Sequence, residues 1–212
     1  MKIQDTVRPS ADAFAMNLAL RHDDRVGMAH GRYIFDITHA DGRVEHIERD
    51  NVQTYDGAIL QAILLGSGAT PTPPSARGIT MMAVGTGATG PILSPDAPDR
   101  RQRRLNTELA RKAVTVVYRT SGGAVSPVKT NIVDFTATFG EGEAVGAWTE
   151  IALIRSISLN PAVTTPVPAT FPTYDTTIDL DVYDILFNYG TYGVISKPSP
   201  MTIAVTYRVT HQ

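Results

Sequence analysis

The sequence predicts a mainly β protein: an antiparallel β-sandwich with one well-defined α-helix and long extended loops or arms. Three observations carry this. Apolar and polar residues alternate over several short runs, as strands with one buried face require. Asp41-Gly42 falls between two of those runs, where a tight hairpin turn needs such a pair. Gly (17) and Pro (14) are frequent and charged residues reach only 19%, against about 25% in ordinary soluble domains, which favours strands, turns and extended loops over helices. Nothing alternates strand with helix in the way a parallel sheet would need.

Taken in order, residues 1–30 read as an N-terminal arm or short helix, with Ser10 a possible cap for 11–20. Arg32 to Thr38 alternates, with Tyr33, Phe35 and Ile37 on one side, and pairs across Asp41-Gly42 with Val44 to Glu48. Residues 54–65 form the predicted helix: Thr54 is a capping residue, Asp56 sits in the first turn where the helix dipole favours a carboxylate, and Gly66 stops it. Its apolar stripe (Ile59, Leu60, Ile63, Leu64) is expected to face a core or a neighbouring subunit. Residues 66–78 and 85–99 are Gly/Pro loops on either side of a strand over Ile79 to Val84, and Asp99 to Leu109 could form a short helix. Ala113 to Thr120 is β-rich. Lys129 to Phe139 alternates, with Val133, Phe135 and Phe139 assigned to the core. Trp148 to Ile154 is the next strand, with Trp148, Glu150, Ala152 and Ile154 sharing a face. Residues 160–172 are a Pro-rich arm, 178–189 fit helix or strand equally, and Met201 to Thr210 is a closing strand. Residues 31–212 are thus expected to form a single domain.

Composition removes several functional classes. With no Cys there is no disulfide framework, thiolate metal site or cysteine catalysis. A net charge of -2 does not describe a general nucleic-acid binder, so DNA contact is not expected. No apolar run reaches the ~20 residues that span a bilayer, and the first residues show no secretory h-region, so synthesis in the cytoplasm and no membrane partner are expected.

Candidate chemistry is thin. Gly85-Thr86-Gly87-Ala88-Thr89-Gly90 resembles a phosphate loop, but lacks the Gly-Lys-Ser/Thr that reaches phosphate and magnesium, and the following prolines oppose a helix. His39 and His46 approach across the hairpin near Asp41 and Glu48, yet the spacing of metal-binding helices is absent; exposed hairpin polarity is the expected reading. Glu141, Glu143 and Glu150 could serve as an acid/base pair, but no sequence feature sets their separation. No nucleophile elbow or triad can be assembled. The expectation is no catalytic residue, no metal and no cofactor. Arg100-Arg101-Gln102-Arg103-Arg104 is the concentrated basic segment, and subunit contacts are assigned to Arg100, Arg101, Arg103 and Arg104 and to Pro161, Pro166, Pro168 and Pro172 of the arm. Trp148, Tyr189 and Tyr192 are the rings that would stack on a sugar if the domain were a glycan-binding module.

Three segments then carry a resemblance. Arg49 to Thr54 leads into the helix. Met82-Ala83-Val84-Gly85-Thr86-Gly87 is followed by Leu105-Asn106-Thr107-Glu108-Leu109-Ala110-Arg111. Phe135-Thr136-Ala137-Thr138-Phe139 is followed by Thr149-Glu150-Ile151-Ala152-Leu153. The ordered set AVGTG, LxxExxR, FxAxF and TExxL is similar to a group of tailed-bacteriophage virion structural proteins of the tail, neck and fibre type, over residues 49–155 and the last ten or so. The segment from Ser94 to Arg104 is longer and more basic than the group's link. The resemblance implies a non-enzymatic virion component in the neck, collar, tail or baseplate region. It would form a symmetric homo-oligomer and contact portal, adaptor, tail or fibre subunits. A receptor- or carbohydrate-binding module of the tail, and a head decoration protein, are the alternatives.

Overall fold

The computed structural model describes residues 30–66, 78–87, 102–156, 158–159 and 184–211. Two antiparallel sheets pack face to face, with one helix among the described residues, so the predicted mainly β sandwich is the fold. The first sheet contains β1 (His30–Thr38), β2 (Val44–Asp50), β6 (Thr115–Arg119), β7 (Ile132–Phe139) and β11 (Thr202–Thr210), in the order β2-β1-β11-β7-β6. The second contains β3 (Val52–Gln53), β4 (Met81–Gly85), β5 (Glu108–Ala113), β8 (Gly146–Arg155) and β10 (Asn188–Lys197), in the order β3-β10-β8-β4-β5, with β9 (Ile185–Leu186) also on β8. The helix α1 (Tyr55–Gly66) follows β3.

Register makes the core legible row by row. Phe35 pairs with Val205, which pairs with Ala137; Ile37 pairs with Ile203, which pairs with Phe139. All six are buried, and they meet Met82, Val84, Ile151, Leu153, Tyr192 and Ile195 of the second sheet. Phe139 and Trp148 stack edge to face at 5.1 Å, and the indole Nε1 donates to Ala144 O at 2.7 Å, so the ring is buried without orphaning its N–H. The β1–β2 hairpin forms as predicted: Gly42 takes a positive φ of 83° and the Asp41 carboxylate accepts from the Arg43 amide.

The helix also matches. Thr54 Oγ1 accepts from the Gly57 amide, while its own hydroxyl donates to Leu186 O. Leu60 enters the core; Leu64 is exposed. A Cβ on Gly57 would lie 2.0 Å from Phe187 O, so only glycine lets the first turn sit against the break between β9 and β10.

Four expectations change. Residues 102–107 are irregular and β5 begins at Glu108, where a short helix was expected up to Leu109; residues 99–101 lie outside the described residues. The amides of Asn106 and Thr107 are taken by the Glu150 carboxylate, so they cannot enter a helix. Second, Trp148 does not share a face with Glu150, Ala152 and Ile154. Trp148, Ile151 and Leu153 belong to the core between the sheets, while Ala152 and Ile154 join Met81, Ala83, Leu105, Leu186 and Tyr189 in a second cluster. The β8–β10 register shifts between Thr191 and Ile195, and such an irregularity flips alternation. Third, the ambiguous 178–189 segment is strand where described, at 185–186 and from Asn188 onward. Fourth, β5 and the part of β10 beyond Tyr189 were not foreseen. The predicted arms at 1–29 and 160–172, and the loops at 67–77 and 88–99, lie outside the described residues.

Candidate functional site

The densest polar construction is built on Glu150, in the centre of β8 and fully buried. Its Oε1 accepts from the amides of Gly87 (3.0 Å) and Thr107 (2.9 Å). Its Oε2 accepts from the Asn106 amide (3.1 Å) and the Tyr189 hydroxyl (2.8 Å). A buried carboxylate is tolerated only when such donors replace water. The glycines of the phosphate-loop look-alike belong to this arrangement. A Cβ on Gly85 would lie 2.6 Å from Glu150 Oε1, and one on Gly87 would lie 2.3 Å from the Thr107 amide nitrogen. Gly85 and Gly87 are small so that two chain segments can close on a carboxylate of their own protein. Gly90 lies outside the described residues.

Beside it, Arg111 of β5 is held almost wholly out of solvent. It donates to both Glu108 oxygens, to Asp184 Oδ2 at 2.7 Å and to Ser156 Oγ at 3.1 Å. Burial lowers the pKa of this guanidinium, but the bonds and charges of Glu108 and Asp184 outweigh it and raise the net value above the ordinary one. The network thus joins β5 to the end of β8 and the entry to β9. Arg103 donates Nε to the buried Asp56 of the helix at 2.9 Å. Of the assigned basic segment, then, Arg103 serves an intramolecular ion pair and Arg104 lines a small cavity beside it. Arg100, Arg101, Pro161, Pro166, Pro168 and Pro172 lie outside the described residues.

A third polar centre lies on the outer face of the first sheet. Asp134 of β7 is buried and accepts from Arg208 Nε (2.7 Å) and Arg119 Nε (2.8 Å) of its two neighbouring strands. Burial pushes its carboxyl up, but the hydrogen bonds and charges of Arg208 and Arg119 prevail and hold it below the usual carboxylate range. A fourth is Lys197, buried and donating Nζ to Gly140 O (2.8 Å) and Met201 O (2.7 Å), which ties two turns together. Burial draws its ammonium below the usual lysine value.

The remaining candidates separate. His46 bonds Asp36, its register partner across the hairpin, at 2.8 Å, and His39, just past the end of β1, approaches Glu45 at 3.3 Å. Among the described residues no three acidic or imidazole groups converge as a metal site would require. Glu143 is exposed and paired to Lys112, Glu141 is exposed, and Glu150 is buried in its ring of donors, so the three glutamates share no cleft. Trp148, Tyr189 and Tyr192 are all buried, which removes them as a sugar-stacking platform. No helix of the described residues is long and apolar enough to cross a membrane.

One surface feature was missed from sequence. Val209, Val133 and Tyr118 form one inward row of the first sheet, and Tyr207, Phe135 and Val116 the next. Val209 and Tyr207 are buried, but Val133, Phe135 and Tyr118 are only half-buried and Val116 is 44% exposed. Among the described residues, this inward-facing apolar corner at β6 and β7 is only partly covered. Alternation assigns these residues to the inner face, but does not reveal how little of Val116 is covered. Compared with known proteins, the chain matches no family model, no curated protein and no solved structure.

Proposed function

We propose that this chain is a non-enzymatic structural subunit of a tailed-phage particle, in the neck, collar, tail or baseplate region, assembling as a symmetric homo-oligomer. The observation that carries the reading is the use made of the motif residues. Glu150 of the TExxL segment binds the amides of Gly87 in the AVGTG segment and of Asn106 and Thr107 in the LxxExxR segment. Leu105 is buried, and Glu108 and Arg111 pair with each other. The residues that carry the resemblance are thus spent on closing one scaffold. A reactive centre would instead leave some of them facing a cleft. The partly covered corner at Val116, Tyr118, Val133 and Phe135 gives the scaffold an apolar face for another subunit.

The deciding experiment is mass spectrometry and cryo-electron microscopy of purified particles that carry the gene. The expected result is a fixed copy number and ring-like or trimeric density at the neck or tail. Absence of the protein from particles that are otherwise complete overturns the reading. Val116→Asp in the purified full chain tests the interface: the circular dichroism spectrum stays as in the parent, while sedimentation shifts toward smaller species. An unchanged oligomer removes this corner from the interface.

A further inference from the structure

Three features of the first sheet meet near β6. The first is its edge. β6 ends the strand order, and the chain that returns after it pairs only from Tyr118 on, where the Ser126 amide donates to Tyr118 O and Val125 bridges Arg119. Among the described residues no strand lies beyond Thr115, Val116 and Val117. The opposite edge, β2, carries Glu45, His46, Glu48, Arg49 and Asp50, and such charges keep an edge from pairing; β6 carries none before Arg119. The second is the apolar corner of Val116, Tyr118, Val133 and Phe135, which lies against this edge with Val116 44% exposed. The third is where the chain enters. Residues 1–29 lie outside the described residues and join the sheet at His30. The register row of His30 runs through Thr210 and Ile132 to Arg119 of β6. Three strand spacings, about 14 Å, cover that distance. In the entering sequence, residues 13–20 carry no charge and have a large apolar residue at every second position (Phe14, Met16, Leu18, Leu20), while Arg21, His22, Asp23, Asp24 and Arg25 follow.

We propose that the corner seats residues 13–20 of a neighbouring copy of this chain, so that subunits are joined by exchange of their N-terminal segments. This contact supplies the partner for the interface proposed above, and it rests on the homo-oligomeric reading. The match is one of charge and size. An uncharged segment with four large apolar residues suits a corner lined by Val, Tyr and Phe, where a charged segment would leave its charge without water or a partner. Residues 21–29 link the segment to His30; extended, they reach about 30 Å, and their charges suit them to water. Tyr207 directs the segment to another copy and away from its own corner. Its ring lies across Gly31, where a Cβ would fall 1.6 Å from the Tyr207 hydroxyl oxygen, and that oxygen accepts from Asn51. The inner face beside the point of entry is thus filled, and a chain leaving His30 runs off the end of the sheet. The corner is reached from its other side, across the bare edge of β6.

The chain has no cysteine, so introduced thiols report single positions. Two full-length variants, Leu18→Cys and Val116→Cys, are co-expressed, purified as the assembled oligomer and treated with a short bis-maleimide. Expected is a band at twice the chain mass whose cross-linked peptides join position 18 to position 116. Adding Phe14→Asp to the Leu18→Cys chain should remove that band. A chain carrying both cysteines that links 18 to 116 at the mass of a single chain gives the corner to the chain's own segment and overturns the proposal. A link of 116 to 116 alone gives it to the corner of another copy and does the same. An oligomer that sediments as such but yields no 18–116 link overturns the exchange and leaves the homo-oligomeric reading standing. A parent chain that sediments as a monomer overturns both.

Discussion

Replacing Glu150 by Gln tests the central construction with the smallest change of shape. The carboxylate accepts four hydrogen bonds, two on each oxygen. A carboxamide keeps one accepting oxygen and turns the other position into a donor. The least costly arrangement keeps the oxygen toward Gly87 and Thr107 and turns the amide toward Asn106 and Tyr189. The Tyr189 hydroxyl can rotate to accept, but the Asn106 amide then faces another donor. One unpartnered polar group costs roughly 1–3 kcal/mol, and the two retained bonds lose their charge assistance. Asn106 and Thr107 are near the surface, so water recovers part of this. The expected loss is therefore about 2 kcal/mol. For a urea m-value of about 2 kcal/mol/M, that moves the unfolding midpoint down by about 1 M with the slope unchanged. Amide exchange should quicken at Gly87, Asn106 and Thr107 before it changes in β11. A midpoint within about 0.25 M of the parent, equal to roughly 0.5 kcal/mol, would refute the claim that this carboxylate closes the two segments.

Three further perturbations test the same fold. Asp134→Asn should flatten the acid limb of stability. The folded carboxyl titrates below the unfolded one, so its contribution is present above the unfolded pKa and is lost as pH falls through the folded pKa; urea midpoints measured from neutral pH down past the carboxylate range should fall less steeply in the variant. His46 should titrate above its usual value by NMR, because its hydrogen bond to Asp36 favours the charged ring. Its contribution is complete below the unfolded pKa and lost as pH rises through the folded one, and Asp36→Asn should move the midpoint down; no movement would break that assignment. Gly57→Ala places a Cβ 2.0 Å from Phe187 O and should cost on the order of 1–3 kcal/mol by denaturant unfolding, despite alanine's better helix propensity; a stabilised variant would show that the helix can shift off β9.

How far the sequence reaches is clearest from particular elements. The hairpin at Asp41-Gly42, the capped helix after Thr54 and the strands ending at Phe139 and Thr210 were legible because their signals are local. They rest on a turn pair with one backbone solution, a capping hydroxyl, and strict alternation where one face is buried. Strand β5 was not legible, since Glu108 to Ala113 carries Glu, Arg and Lys, and its arginine is buried against Asp184, distant in sequence, as well as against Glu108. Nor was the face of Trp148, because a register irregularity breaks the alternation that assigns faces. The glycines at 85 and 87 were visible as residues, but their purpose was not, since the group they approach lies on another strand.

By itself, then, the sequence determined the class of fold, the position of the helix and which strands have a buried face, because each follows from neighbours along the chain. Only the tertiary structure decided that Glu150, Arg111, Asp134 and Lys197 are interior ties, and that Val116 is only partly covered on an inward row. A charged side chain is buried or solvated according to the partners that arrive from elsewhere in the chain, and an apolar face is covered or bare according to what packs against it.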